Sequence, residues 1–214
     1  MTLLEVIIAT AILGIVVTFV MTGFSAMQSS EATDDIKLQN LDEARLLMDT
    51  VSKDIRTATY LQAGTAAFTV ADVTHIQFYA NLYTTTQPNL VDIAINTSNP
   101  NTPYLVETIT QPDPGSNPPT FTGKGSTQQR FVGKYAVNNA ANPLFTFFDS
   151  SGAQINPPTG QTALATSQLI SINSVHINLS VRKSTNRSIP ATTLTNTVTL
   201  PNLYYNVQPS PTPT

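Results

Sequence analysis

Few side chains in this 214-residue chain have the chemistry of catalysts or metal ligands, and those few stand apart in the sequence. The chain contains no cysteine, which excludes disulfide frameworks, thiol chemistry and every zinc site that uses thiolate. Its two histidines, His75 and His176, each fall within a predicted strand, and we interpret them as ordinary sheet residues. A zinc or iron site made only of protein side chains is therefore not expected.

The acidic residues beyond position 62 are too widely spaced to form a catalytic pair. A glycosidase needs two carboxylates that converge on one bond, and nothing in this spacing suggests such a pair. The segments Asp113–Gly115 and Asp149–Gly152 resemble turns, whereas a calcium loop needs several oxygen ligands at short spacing. The sequence also has no glycine-rich phosphate loop. We therefore expect no enzymatic activity, no metal and no cofactor. The acids are Asp72, Asp92, Glu107, Asp113 and Asp149.

The charge balance gives no electrostatic reason to expect nucleic acid as the main partner, because the formal net charge is -3. A small basic cluster of Arg182, Lys183 and Arg187 is interpreted as a solvated hairpin end. Charged residues make up 11% of the chain, under half of the roughly 25% typical of soluble proteins. With 15 prolines and nine glycines among many Thr, Asn and Ser residues, the composition predicts a surface-exposed, β-rich domain with long polar loops.

Glu5 is the one ionisable side chain in an unusual position, since no other occurs between Met1 and Ser30. A charge within an apolar segment costs about 2.5–3.5 kcal/mol on insertion, and such residues are usually paired and functional. The cations within reach are the α-amino group of Met1 and that of a neighbouring copy. Pairing with a neighbour requires chains that are offset along the helix axis, which is the geometry of a staggered helical polymer.

The element that carries Glu5 is an apolar zone, residues 1–30. As a helix, residues 1–27 are roughly 40 Å long, enough to cross a bilayer core of about 30 Å. The segment lacks the basic region and the cleavage site of an ordinary secretory signal. A plain membrane anchor with one stray glutamate is the alternative interpretation, and the cost of burying Glu5 counts against it. Gly14 and Gly23 each weaken a helix by about 1 kcal/mol, and in a filament they would be candidate points where the helix stretches.

An amphipathic zone, residues 31–62, follows without proline or glycine, which predicts a helix continuous with the first one, from Met1 to about Leu61. Apolar residues recur at spacings of three and four, the pattern of one helix face. Fewer than about three heptads is too short for a coiled coil, so this face is expected to pack on the chain's own sheet. The face comprises Leu41, Ala44, Met48, Val51, Ile55 and Ala58.

From residue 63 to 206 the pattern changes to strand-like alternation between Pro, Asn, Gly and Ser loops. A phase slip at Asn173–Ser174 predicts a β-bulge within the longest strand. One antiparallel sheet, or two, packed on the helix is the simplest fold, an α+β arrangement. Residues 207–214 form a Pro/Thr-rich tail, a floppy terminus or a carrier of O-glycans. The predicted strands are 73–80, 90–95, 104–110, 129–137, 144–148, 168–182 and 193–200.

The residues MTLLEV and the apolar run IIATAILGIVV after them resemble the mature N-terminus of type IV pilins and pseudopilins. The resemblance implies that Met1 is the N-methylated first residue of a processed chain, with Thr2 the small polar residue beside it and Glu5 the assembly carboxylate. Gly14 falls where many pilins have a helix-weakening glycine. Two positions depart from the family pattern: position 1 is Met where Phe is usual, and Thr22 stands where many pilins have Pro.

Three further segments, 44–61, 144–155 and 174–182, resemble the larger J-type and W-type members. The resemblance implies the pilin fold, in which a long helix lays its C-terminal half on an antiparallel sheet. It also implies several partners: further copies and other pilins, a prepilin peptidase that N-methylates, a membrane platform, an assembly ATPase, and the lipid bilayer before assembly. The expected location is the inner (cytoplasmic) membrane, then a filament at the cell surface.

Three functions fit these residues. The first is a structural pilin that polymerises into an extracellular filament through its N-terminal helix. The second is a minor pilin or pseudopilin that primes or tips a filament in secretion or DNA uptake. The third is a membrane-anchored β domain, such as an adhesin, that never polymerises. Because the sequence has no nucleotide-binding motif, the energy for assembly is expected to come from a separate ATPase.

Overall fold

The computed structural model describes residues 2–62, 64–82, 87–183 and 189–204. It has an α+β layout, in which a long N-terminal helix is followed by antiparallel sheets. The chain divides into two units, Met1–Gln39 and Asn40–Thr214. The elements are helix α1 Leu3–Arg56, strands β1 Phe68–Ala71, β2 His75–Ala80, β3 Asn89–Asn96, β4 Tyr104–Thr110, β5 Thr127–Lys134, β6 Phe145–Phe148 and β7 Gln154–Ile155, the 3₁₀ helix Thr166–Ser171, strands β8 Ser174–Val181 and β9 Thr192–Thr199, and helix α2 Pro201–Tyr204.

The strands form two sheets, so the second of the two sequence alternatives is the one observed. Strands β1 to β5 are ordered as they occur in the chain, each antiparallel to the next. The other sheet has the order β7-β6-β8-β9. Burial alternates along the strands as their sequences predict. In β4 the buried Leu105, Glu107 and Ile109 alternate with half-buried residues. A side chain at every second position therefore faces the core.

Residues 40–56 of α1 contribute one side of the core of the second unit. The buried side chains of this stretch recur at helical spacing, with Asn40, Ser52 and Asp54 as its polar members. Three phenylalanines join the two sheets, since the Phe68 ring lies 5.6 Å from Phe78 and 6.3 Å from Phe147. The buried apolar helix residues are Ala44, Leu47, Met48, Val51 and Ile55.

The helix ends at Arg56, six residues before the expected boundary at 62. Its last turn tightens, because the Ala58 N–H donates to the Ile55 carbonyl three residues back. The backbone then leaves the helix to pair with β2: Ala58 bridges Ala80, and the Thr59 N–H donates to the Tyr79 carbonyl at 2.8 Å. Tertiary pairing with the sheet therefore overrides the helical pattern in this stretch.

The predicted long strand over 168–182 is wrong in its first part, and so is the bulge predicted within it. A 3₁₀ helix occupies Thr166–Ser171, and β8 begins only at Ser174. Leu169 and Ile172 are buried three residues apart, whereas Ile170 is exposed. The apparent phase slip at 173–174 marks the change from helical to strand periodicity. Sequence reasoning also missed the short strands β1 and β7.

Gly133 in β5 lies close to α1. A Cβ atom at this position would be 2.7 Å from both Leu47 Cδ2 and Glu43 Oε1. Leu47 is fully buried and has no room to move away. We expect Gly133→Ala to lower the free energy of unfolding by about 1–3 kcal/mol, the usual cost of overpacking a core. Chemical denaturation followed by circular dichroism measures this. An unchanged denaturation midpoint for Gly133→Ala would contradict the close approach.

Candidate assembly surface

The first candidate surface is the apolar part of α1, residues 3–27. Every residue of this stretch is exposed, and its large side chains include Leu3 at 83% and Phe19 at 75% exposure. Within the described residues, α1 is the one helix that is long and apolar enough to cross a membrane. Exposed apolar surface on this scale marks a site for lipid or protein partners, since monomeric soluble proteins rarely show it.

Glu5 caps the helix that carries it. The helix begins at Leu3, and the Glu5 carboxylate accepts a hydrogen bond from the Thr2 backbone N–H at 3.4 Å. This is one half of a capping box, in which the residue three positions after the cap satisfies a free backbone donor. The signal was present in the sequence as Thr-x-x-Glu at positions 2–5, and sequence reasoning did not use it. Met1, the proposed partner of Glu5, lies outside the described residues.

The polar side chains in the middle of the apolar stretch bond to the helix itself. The hydroxyl groups of Thr10, Thr18 and Thr22 each donate to the backbone carbonyl four residues before, at 2.8–2.9 Å. Helix α1 passes through Gly14 and Gly23 without interruption. Apart from the adjacent residues and the helix's own backbone, no atom of the described residues lies within 4 Å of a Cβ placed at either glycine. Open space at both positions is compatible with close approach of a neighbouring helix.

The residues predicted to form the sheet-packing face of α1 differ in burial. Ala44, Met48, Val51 and Ile55 are buried, while Leu41 is half-buried. Leu47, which the prediction omitted, is fully buried beside them. Leu47 was omitted because the prediction took a single row of apolar residues along the helix. A buried helix face is wider than a single row.

Hydrogen bonds also connect residues 40–56 of α1 to the sheets. The Asn40 side-chain oxygen accepts from the Lys183 backbone N–H at 2.8 Å, so this member of the predicted basic cluster has a structural contact. The Glu43 carboxylate accepts from the Lys134 backbone N–H at 2.7 Å. The Ser52 hydroxyl accepts from the Asn196 side chain at 2.8 Å. Both sheets are therefore hydrogen-bonded to α1, the first through β5 and the second through β9 and the residue Lys183 that follows β8.

A buried charged cluster joins α1 to β4 and β5. Glu107 is fully buried and Asp54 nearly so. Arg130 donates to both, from Nε to Glu107 Oε2 at 2.5 Å and from Nη2 to Asp54 Oδ2 at 3.1 Å. Glu107 Oε1 has no hydrogen-bond partner in the described part of the chain. Burial and the neighbouring Glu107 carboxyl raise the pKa of Asp54 to about 7, against the lowering effect of Arg130.

Sequence reasoning missed this cluster, although both acids carry a signal. Asp54 lies three residues after Val51 on the apolar helix face, and Glu107 alternates with the buried Leu105 and Ile109. An acid at a core position requires a partner. The identity of that partner could not be predicted, because Arg130 comes from a strand 76 residues further along the chain.

The histidines and turn acids of the β zone have local roles. His75 Nε2 lies 2.9 Å from Asp92 Oδ2, and this hydrogen bond raises the pKa of His75.

The Asp113 carboxylate accepts five hydrogen bonds from Thr120, Thr122, Lys124 and Gly125, which lower the pKa of Asp113 well below the usual range. Elsewhere, His176 contacts Thr197, and Asp149 accepts bonds from Ser151 and Ala153.

These acids hold loops in place by accepting hydrogen bonds from their own turns. Within the described ranges, no group of three or more His, Cys, Asp or Glu side chains is placed to hold a metal ion. Arg187 and the tail 207–214, both singled out in the sequence, lie outside the described residues.

Comparison with protein-family models, with curated proteins and with solved structures finds no match to this chain.

Proposed function

We propose that this chain is a pilin, a structural subunit that polymerises through its N-terminal apolar helix into an extracellular, type IV pilus-like filament. The observation that carries the proposal is the exposure of the whole apolar stretch 3–27, with Glu5 as its one charged side chain. A surface of this size requires an apolar environment, which a bilayer provides before assembly and neighbouring helices provide after it.

The proposed route begins in the inner membrane and ends at the cell surface. A prepilin peptidase would prepare and methylate the N-terminus, and a membrane platform with a separate ATPase would lift subunits out of the bilayer. Other pilins and further copies of this chain are the partners in the filament. In this proposal the pilin fold corresponds to α1 with the two sheets behind its residues 40–56.

Imaging separates this function from its two alternatives. Surface filaments are sheared from the native cell, examined by electron microscopy, and their dominant subunit is assigned by mass spectrometry. We expect filaments composed mainly of this chain, and none in a strain without its assembly ATPases, where the chain stays in the membrane. A trace amount of the chain in the filaments would indicate a minor pilin or pseudopilin. Filaments that lack it, with the chain confined to the membrane, would indicate an anchored β domain.

A further inference from the structure

Among the described residues, strand β9 is an open sheet edge without the usual protection against strand pairing. It pairs with β8 along all eight of its residues, Thr192–Thr199, without a register shift. No strand among the described residues pairs with its other side. The strand contains no charged residue and no proline. Natural edge strands are usually blunted by lysine, proline, a bulge or short length, since their free N–H and C=O groups otherwise bind further strands.

The other sheet edges do have such protection. Strand β5 carries Arg130 and Lys134, and its pairing with β4 shifts register between Leu105 and Val106. Strand β1 has four residues and β7 has two. The open edge of β9 is therefore a particular feature of that strand and not a general property of these sheets.

A groove of about 470 Å³ runs between β9 and the last turns of α1. Within its lining, the Asn196 side chain donates to the Ser52 hydroxyl at 2.8 Å and so connects the strand and the helix. The groove therefore lies alongside a strand edge with free backbone groups. Its lining residues are Arg45, Met48, Asp49, Ser52, Lys53, Arg56, Leu194 and Asn196.

The groove is basic in a chain whose net charge is negative. Three cations and one acid line it, so the local charge is +2 (three minus one), against -3 for the chain. Arg45 makes only a long, exposed pair with Asp42, at 3.9 Å. Neither Lys53 nor Arg56 forms a salt bridge with any described residue. Acidic groups that enter the groove would meet these three cations.

We propose that this groove binds an extended acidic peptide segment, which adds to β9 as a further strand. Backbone hydrogen bonds to β9 would supply affinity, and carboxylates against Lys53, Arg56 and Arg45 would supply specificity. A nucleic acid or an anionic glycan could use the charges but has no peptide backbone to pair with the strand. The site lies within residues 40–214, so it does not depend on polymerisation through residues 3–27.

The test measures peptide binding by fluorescence anisotropy to the full chain in zwitterionic detergent micelles. The probe is a labelled decapeptide of alternating Glu and Thr. Two analogues are compared with it: one has Gln in place of Glu, and one is N-methylated at every second residue so that it cannot pair as a strand. We expect both analogues to bind at least about tenfold more weakly, since each lacks one of the two contributions. A ten-residue thymidine oligonucleotide tests for general polyanion binding.

The matched variants are Arg56→Glu in the groove and Lys124→Glu in an exposed loop, which change the net charge equally. We expect Arg56→Glu to weaken binding of the acidic peptide about tenfold or more, and Lys124→Glu to leave it nearly unchanged. Circular dichroism establishes that both variants are folded. The proposal is overturned if the wild-type chain does not bind the acidic peptide. Equal binding of the N-methylated analogue or of the oligonucleotide would also overturn it.

Discussion

Replacing Glu5 by alanine should lower the amount of this chain in sheared filaments at least about tenfold, while its membrane pool stays the same or rises. Insertion improves because a costly polar group is removed from the apolar segment. Assembly fails because, under the proposed function, the Met1 amine of the same or a neighbouring subunit loses its partner in an apolar environment. The measurement is quantitative immunoblotting of the filament and membrane fractions.

Glu5→Gln is the informative control, because it keeps a hydrogen-bond acceptor for the Thr2 N–H and removes only the charge. Partial assembly of this variant would assign the role to hydrogen bonding, and no assembly would assign it to charge. The second unit should stay folded in both variants, since the Glu5 side chain forms a hydrogen bond only with the Thr2 backbone N–H among the described residues. Incorporation of Glu5→Ala at the wild-type level would rule out the pairing model.

The second large effect is a loss of stability of the β domain as the pH rises from about 4 to 7. The pKa of Asp54 is raised from 3.8 to about 7 by burial and by Glu107, so the folded state holds a proton that the unfolded state releases. Folding is then most favoured below the unfolded pKa, and the free energy of unfolding falls as the pH rises across this window. Above about pH 7 the contribution of Asp54 should level off. Urea denaturation of the full chain at several pH values measures it.

Two variants test the cause of this pH dependence. Asp54→Asn imitates the protonated carboxyl and should flatten the stability profile between pH 4 and 7. Arg130→Met removes the cation that both buried acids share and should cost about 3 kcal/mol at pH 8, with a smaller loss at pH 5. This cost is at the lower end for buried pairs, because the Arg130 side chain is 52% exposed. A wild-type profile in Asp54→Asn would show that another group is responsible.

Local periodicity was sufficient to predict most of α1 and most strands of this chain, but not the 3₁₀ helix Thr166–Ser171 or the short helix α2. The 3.6-residue stripe identified Ala44, Met48, Val51 and Ile55, and strict alternation located β4 at its observed bounds, 104–110. These signals are strong because each buried face repeats over several turns or pairs. The end of α1 at Arg56 was less predictable, since Ala58 continues the helical pattern and yet bridges Ala80 in the sheet.

The features that sequence reasoning missed depend on residues far apart in the chain. The groove beside β9 forms only when residues 45–56 of α1 lie next to Leu194 and Asn196. The cluster of Asp54, Glu107 and Arg130 likewise combines one helix with two strands. A pattern within one segment can mark a residue as buried or charged. It carries no information on which distant residue becomes its neighbour.

In the middle of the apolar stretch, no threonine hydroxyl needs a hydrogen-bond acceptor from outside the helix. Between Val6 and Thr22 the polar side chains are Thr10, Thr18 and Thr22, and each hydroxyl donates to the helix's own backbone. A segment of this kind can be transferred from one apolar solvent to another without breaking or forming a polar contact. The free energy of such a transfer depends only on how well the two surroundings pack against it, so small differences in packing are enough to set its direction.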